Sequence, residues 1–101
     1  MIAPKSHFQS VRPLFSLGQV VATPGALQAL TDAGDQPAQF LARHQSGDWG
    51  DLCQEDRREN ELSIRKGFRI LSAYKTSKGV KIWVITEADR SATTILLPEE
   101  Y

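Results

Sequence analysis

Gly67-Phe68-Arg69-Ile70-Leu71-Ser72-Ala73-Tyr74-Lys75-Thr76-Ser77-Lys78-Gly79-Val80-Lys81-Ile82-Trp83-Val84-Ile85-Thr86-Glu87 is the stretch whose reading decides the fold. From Phe68 onward aromatic and β-branched residues alternate with polar ones, the period-two pattern of a strand with one buried face. Thr76-Ser77-Lys78-Gly79 is a short turn ending in glycine, so Phe68–Lys75 and Val80–Glu87 pair as an antiparallel hairpin. A third run, Ala92–Leu97, follows the turn at Asp89-Arg90-Ser91 and completes a three-stranded antiparallel meander.

Upstream of Gly67 the period is helical. Thr23 can cap a helix that has Pro24 at its first position, Ala26, Leu27 and Leu30 as its apolar stripe and Gly34 as its stop. A second helix starts near Pro37, carries Phe40, Leu41 and His44, and ends at Gly47. A third runs from a cap at Asp51 to Lys66. Its acids Glu55 and Asp56 come first and Arg65 and Lys66 last, the order that complements the helix dipole. Leu14–Val21 could add a short extended segment, and residues 1–13 read as a flexible lead-in. The expectation is a single α+β domain over 1–101, helical over 23–66 and sheet over 68–98. About three helices pack on one face of the meander.

Composition bounds the function. Leu, Ile, Val and Phe make up 25 of 101 residues, enough for one core. Basic and acidic residues number twelve each. This excludes a polybasic nucleic-acid-coating protein but not a local patch, because the charge is blocked along the chain. Residues 57–81 hold eight bases against Glu59 and Glu61, whereas residues 21–56 hold six acids against Arg43 alone. The apolar runs are far shorter than a membrane span needs, and the N-terminus shows no secretory h-region. Cys53 is the only cysteine, which rules out an intrachain disulfide and a cysteine zinc cage. It reads as a bystander in a helix. A cytoplasmic setting, no cofactor and no metal are expected.

Strand alternation sorts the sheet residues into two faces. Phe68, Ile70, Ser72, Tyr74, Val80, Ile82, Val84, Thr86, Thr93, Ile95 and Leu97 form the apolar set, expected against the helices. Arg69, Leu71, Ala73, Lys75, Lys81, Trp83, Ile85, Glu87, Thr94 and Leu96 form an amphipathic face. Its plain reading is a solvated surface with Leu71, Ile85 and Leu96 covered by the N-terminal segment or a second copy. Its functional reading is a binding surface in which Arg69, Lys75, Lys81 and Arg90 meet charge and Trp83 stacks.

Two loops carry further candidates. In His44-Gln45-Ser46-Gly47-Asp48-Trp49-Gly50-Asp51, Asp48 or Asp51 could orient His44 while Trp49 anchors the loop on the core. One histidine with carboxylates is a poor metal set. In Thr86–Thr94, Glu87 and Arg90 either pair across a structured turn or act as a base and an anion-stabilising cation.

The strings Val20–Leu27, Ala42–Gly50 and Trp83–Pro98 resemble an uncharacterised family of short bacterial plasmid- and mobile-element-related proteins, over residues 17–101. That resemblance implies a mobile-element setting and transfers no catalytic residue. The architecture alone is similar to barnase/RelE-type ribonucleases. That similarity implies a metal-independent endoribonuclease using Glu87, Arg90, Arg69 and Thr94 on the open sheet face. The reading put first is a small interaction protein, in one form a counter-defence inhibitor. It would contact a host protein or nucleic acid, not a membrane, through the amphipathic face. A homodimer joined through that face is the other alternative.

Overall fold

The computed structural model describes residues 13–101; the lead-in expected over 1–13 lies almost wholly outside the described residues. The chain runs β1 (Gln19–Ala22), α1 (Pro24–Ala33), α2 (Pro37–Gln45), α3 (Gln54–Lys66), β2 (Ile70–Lys75), β3 (Lys81–Thr86) and β4 (Ala92–Leu96), then a short 3₁₀ turn over Pro98–Glu100. The helix boundaries follow the local signals. Thr23 accepts a hydrogen bond from the Ala26 amide at the start of α1, and Gly34 and Gly67 close α1 and α3 in the left-handed region. The cap of α3 is Cys53 rather than Asp51, and Cys53 is exposed. Asp51 is used instead as a backbone link, described below.

The sheet departs from a three-stranded meander. It has four strands in the order β1-β4-β3-β2, and β1 lies parallel to β4 with Val20 beside Thr93 and Val21 beside Thr94. The β2–β3 and β3–β4 pairs are antiparallel, as the hairpin turns require. The reason for the difference is range. Strand β1 is four residues long, and its partner comes some seventy residues later, so no local turn announces the pairing.

Helices α1 and α2 lie on the face formed by Ile70, Ser72, Tyr74, Ile82, Val84, Thr86, Thr93 and Ile95, whereas α3 packs along the β2 edge. Ala26 and Leu30 from α1 and Phe40 from α2 join Tyr74, Ile82, Val84 and Ile95 in one buried cluster. Each aliphatic side chain removed from water there contributes about 1.5–3 kcal/mol. Phe68 precedes β2 and is 53% exposed, which takes it out of the inner set.

The two edges of the sheet are treated differently. On the β2 edge, the Asp51 amide donates to the Ala73 carbonyl and the Ala73 amide to the Trp49 carbonyl. One turn along, the Asn60 side chain donates to the Leu71 carbonyl (2.6 Å) and accepts from the Leu71 amide (3.1 Å). The α2–α3 loop and one asparagine thus occupy the backbone groups that would otherwise recruit another strand. The β1 edge has no such cover among the described residues.

Candidate interaction surface

The outer sheet face collects the side chains that alternation assigned to it. Leu71 lies opposite Ile85, Ala73 opposite Trp83 and Lys75 opposite Lys81, and Trp83 and Ile85 pair onward with Leu96 and Thr94 of β4. Lys81, Trp83 and Ala73 line one cleft of about 240 Å³, whose opposite wall is Asp51, Leu52, Cys53 and Asp56 at the start of α3. Phe68, Leu71, Asn60 and Glu59 line a groove of about 330 Å³ between α3 and β2. Arg69, Ile85, Glu87, Thr94, Leu96 and Tyr101 border a third cleft, of about 260 Å³.

Ile85 and Leu96 are only 5% exposed although they point away from the helices. Among the described residues of the single chain, the C-terminal turn lies beside them, with Glu100 and Tyr101 lining the same cleft. Tyr101 meets the Trp83 ring edge-on at 5.7 Å, and its hydroxyl accepts from Arg69 at 2.6 Å. Arg69 also stands 3.5 Å from the Glu87 carboxylate, with both groups about half exposed. Glu100 then fastens the turn to the start of α1. It accepts from the Thr23 hydroxyl and from the Gly25 and Leu97 amides. The Thr23 hydroxyl bond, followed by the amide bonds, holds its carboxyl below the usual glutamate range. This docking needs Gly25, since a Cβ there would come within 2.6 Å of the Glu100 carboxylate. Nothing in the spacing of the sequence marked Glu100 or Tyr101; their partners are on elements remote along the chain.

Lys75 and Lys81 face each other across the hairpin, both exposed. Among the described residues the ion pairs are Arg43–Asp48 and Arg69–Glu87, so neither lysine has an acidic partner there. Like charges directly opposite in a ladder cost stability.

Arg90 does not join this face. Its backbone is left-handed at φ 61°, and its guanidinium donates to the carbonyls of Phe68 (2.6 Å), Ser63 (2.8 Å), Glu87 and Ala88 (both 3.1 Å). It is a clamp joining the end of α3, the entry to β2 and its own turn, and it lies 5.7 Å from the centre of the Phe15 ring. The Glu87–Arg90 side-chain pair expected from the sequence is replaced by Glu87–Arg69.

His44 lies on the far side of the sheet and is fully buried. Its partners are not Asp48 or Asp51 but Ser72 on Nδ1 (2.6 Å) and Thr86 on Nε2 (2.9 Å). Proton positions follow from the end of the chain of bonds. Thr93 donates to the Leu17 carbonyl (2.8 Å), so its oxygen accepts from Thr86 (2.7 Å). Thr86 therefore accepts from Nε2–H, and Nδ1 accepts from the Ser72 hydroxyl. Burial holds this neutral tautomer and lowers the His44 pKa to about 4. Phe15 and Trp49 close the ring edges at 5.1 and 6.0 Å.

Trp49 anchors its loop as expected, 1% exposed and with its indole N–H on Glu61. Asp48 pairs with Arg43 at 2.7 Å, and that hydrogen bond keeps the carboxyl below its ordinary range. The Asp48 carbonyl accepts from Tyr74, whose phenol burial pushes up to about 12. No group of three metal-ligating side chains occurs among the described residues, and no helix there is long and apolar enough to cross a membrane. No family model, curated protein or solved structure matches this chain.

Proposed function

We propose that this chain is a small interaction protein, in keeping with the mobile-element setting implied by its sequence resemblance, and that it docks a protein partner on the outer sheet face. The observation that carries the reading is the grouping of Trp83, Tyr101, Phe68 and Arg69 over the Leu71, Ala73 and Ile85 floor. Tyr101 is 71% exposed and Phe68 53%, a large commitment of aromatic surface to solvent in a chain this small. Aromatic residues and arginine dominate protein interface cores. Around them, Lys75, Lys81 and Arg69 are balanced by Asp51, Asp56, Glu59, Glu87 and Glu100. That mixture suits a protein surface better than a phosphate backbone, which selects a net positive footprint.

The ribonuclease reading keeps Glu87, Arg69 and Thr94 in one cleft but loses Arg90 and finds no histidine among the described residues to serve as an acid. Arg90 is spent on carbonyls, and His44 is sealed behind the sheet, so no histidine among the described residues reaches the cleft. The two readings separate in one experiment. The immobilised chain and its Trp83→Ser/Tyr101→Ala variant are incubated with bacterial lysate, with and without nuclease, and bound material is quantified. The expected result is one protein held in stoichiometric amount by the parent chain, insensitive to nuclease and lost with the variant. Equal retention by both chains, or retention abolished by nuclease, overturns the reading. RNA cleavage that disappears in Glu87→Ala would put the enzyme in its place.

A further inference from the structure

Among the described residues the sheet closes one edge and leaves the other open, and the open one is chemically unusual. From Pro13 through Thr31 no residue is charged, although charged residues make up 24% of the chain. Strand β1 lies in the middle of this neutral stretch, with Val20 and Val21 42% and 43% exposed. The Gln19 amide donates to the Ser91 carbonyl and the Thr23 amide to the Ile95 carbonyl. Alternation then directs the Val21 backbone groups to β4 as well, and turns those of Val20 and Ala22 away from the sheet. Among the described residues nothing pairs with them. The lysine or proline that protects other sheet edges is missing from Gln19–Ala22, and no loop covers it among the described residues.

We propose that β1 is the seam of a homodimer, in which two copies pair antiparallel across a two-fold axis at Val21. The symmetry is satisfied without residue left over. Val20 of one copy exchanges both backbone hydrogen bonds with Ala22 of the other, and Ala22 does the same with Val20, giving four bonds. Val21 meets its own counterpart in the non-hydrogen-bonded position between them, where side chains come closest. An identical strand is the partner that matches this edge in charge. Both sides are neutral, so self-pairing brings no like-charge repulsion, whereas a charged strand would find no counter-charge along β1. The axis is perpendicular to the sheet. The product is one continuous sheet with both outer faces on the same side, so the dimer would present the proposed docking surface twice.

The test uses the full chain and three variants. Sedimentation velocity over a dilution series should show a dimer dissociating to monomer. Val21→Lys should be monomeric throughout, with an unchanged circular dichroism spectrum and the melting temperature that the parent chain shows at dilutions where it is monomeric, because Val21 makes its β4 bonds through the backbone alone. In a Cys53→Ser background, Val21→Cys should form a disulfide-linked dimer on mild oxidation, and Lys78→Cys at the hairpin tip should not. A wild-type monomer at every concentration, a dimer that survives Val21→Lys, or equal cross-linking at positions 21 and 78 overturns the proposal. Trp83, Tyr101, Phe68 and Arg69 are unchanged in all three variants, so failure here leaves the docking experiment to stand or fall separately.

Discussion

His44 shows how much a single buried residue imposes on this protein. Both ring nitrogens are used, and the direction of every proton from Ser72 to the Leu17 carbonyl is set by the fact that a carbonyl cannot donate. A second proton on the ring would have to share the Ser72 oxygen with that residue's own O–H. The folded pKa of about 4 lies below the unfolded value of about 6.5, so the unfolded chain binds more protons between them. The contribution is therefore complete above about pH 6.5 and is lost as pH falls toward 4, for a total of about 3 kcal/mol. Urea titrations of the parent chain and His44→Gln at a series of pH values check this. The difference between the two stability curves should shrink across that window and be flat above it. Arg90 makes the complementary point. Four carbonyls accept from one guanidinium, a geometry an ammonium cannot copy. Arg90→Lys should lose about 2 kcal/mol, close to the cost of Arg90→Ala, in the same denaturation assay. If lysine restored stability, the clamp would be a matter of charge alone.

At the scale of elements, the β2 edge depends on close backbone approach. Gly50 has φ 75°, and a Cβ there would lie 1.9 Å from the Ala73 carbonyl oxygen, so Gly50→Ala should break the bridge that closes the edge. A lowered melting temperature with increased aggregation on heating is the expected signature, since it exposes a strand that the fold had covered. Asn60→Ala removes two hydrogen bonds to Leu71 and should cost about 2 kcal/mol by the same denaturation measurement. The β2–β3 hairpin is set against itself at Lys75 and Lys81. Lys81→Glu should convert a repulsive cross-strand pair into an attractive one and raise stability by about 0.5 kcal/mol. If the face docks a partner as proposed, the same change should weaken capture in the pull-down. A gain in stability together with a loss of binding would mark the lysine pair as retained for contact. Much of this level was legible in advance. Alternation placed Lys75, Lys81 and Trp83 on one face, and the glycine and proline signals placed α1 and α2, because both depend on residues only a few positions apart.

At the scale of the molecule, the two tryptophans report on opposite sides of the sheet. Trp49 is 1% exposed beneath α3, whereas Trp83 is half-buried at the rim of the outer cleft. Iodide should quench only a fraction of the fluorescence, and Trp83→Phe should remove the quenchable fraction while leaving the blue-shifted emission. Partial quenching that survived the substitution would put Trp49 in solvent and contradict the packing of its loop.

The amino-acid sequence by itself determined the helices, the hairpin and the division of the sheet into an apolar and an amphipathic face, since these follow from periodicity and from turn chemistry within a few residues. Tertiary structure alone decided that β1 joins β4, that Tyr101 and Glu100 fold back over the outer face, and that His44 answers to Ser72 and Thr86 rather than to the aspartates beside it. Each of those outcomes joins groups 18 to 77 positions apart. Which distant group is met depends on the burial free energy of the whole core, which no short window of the chain contains.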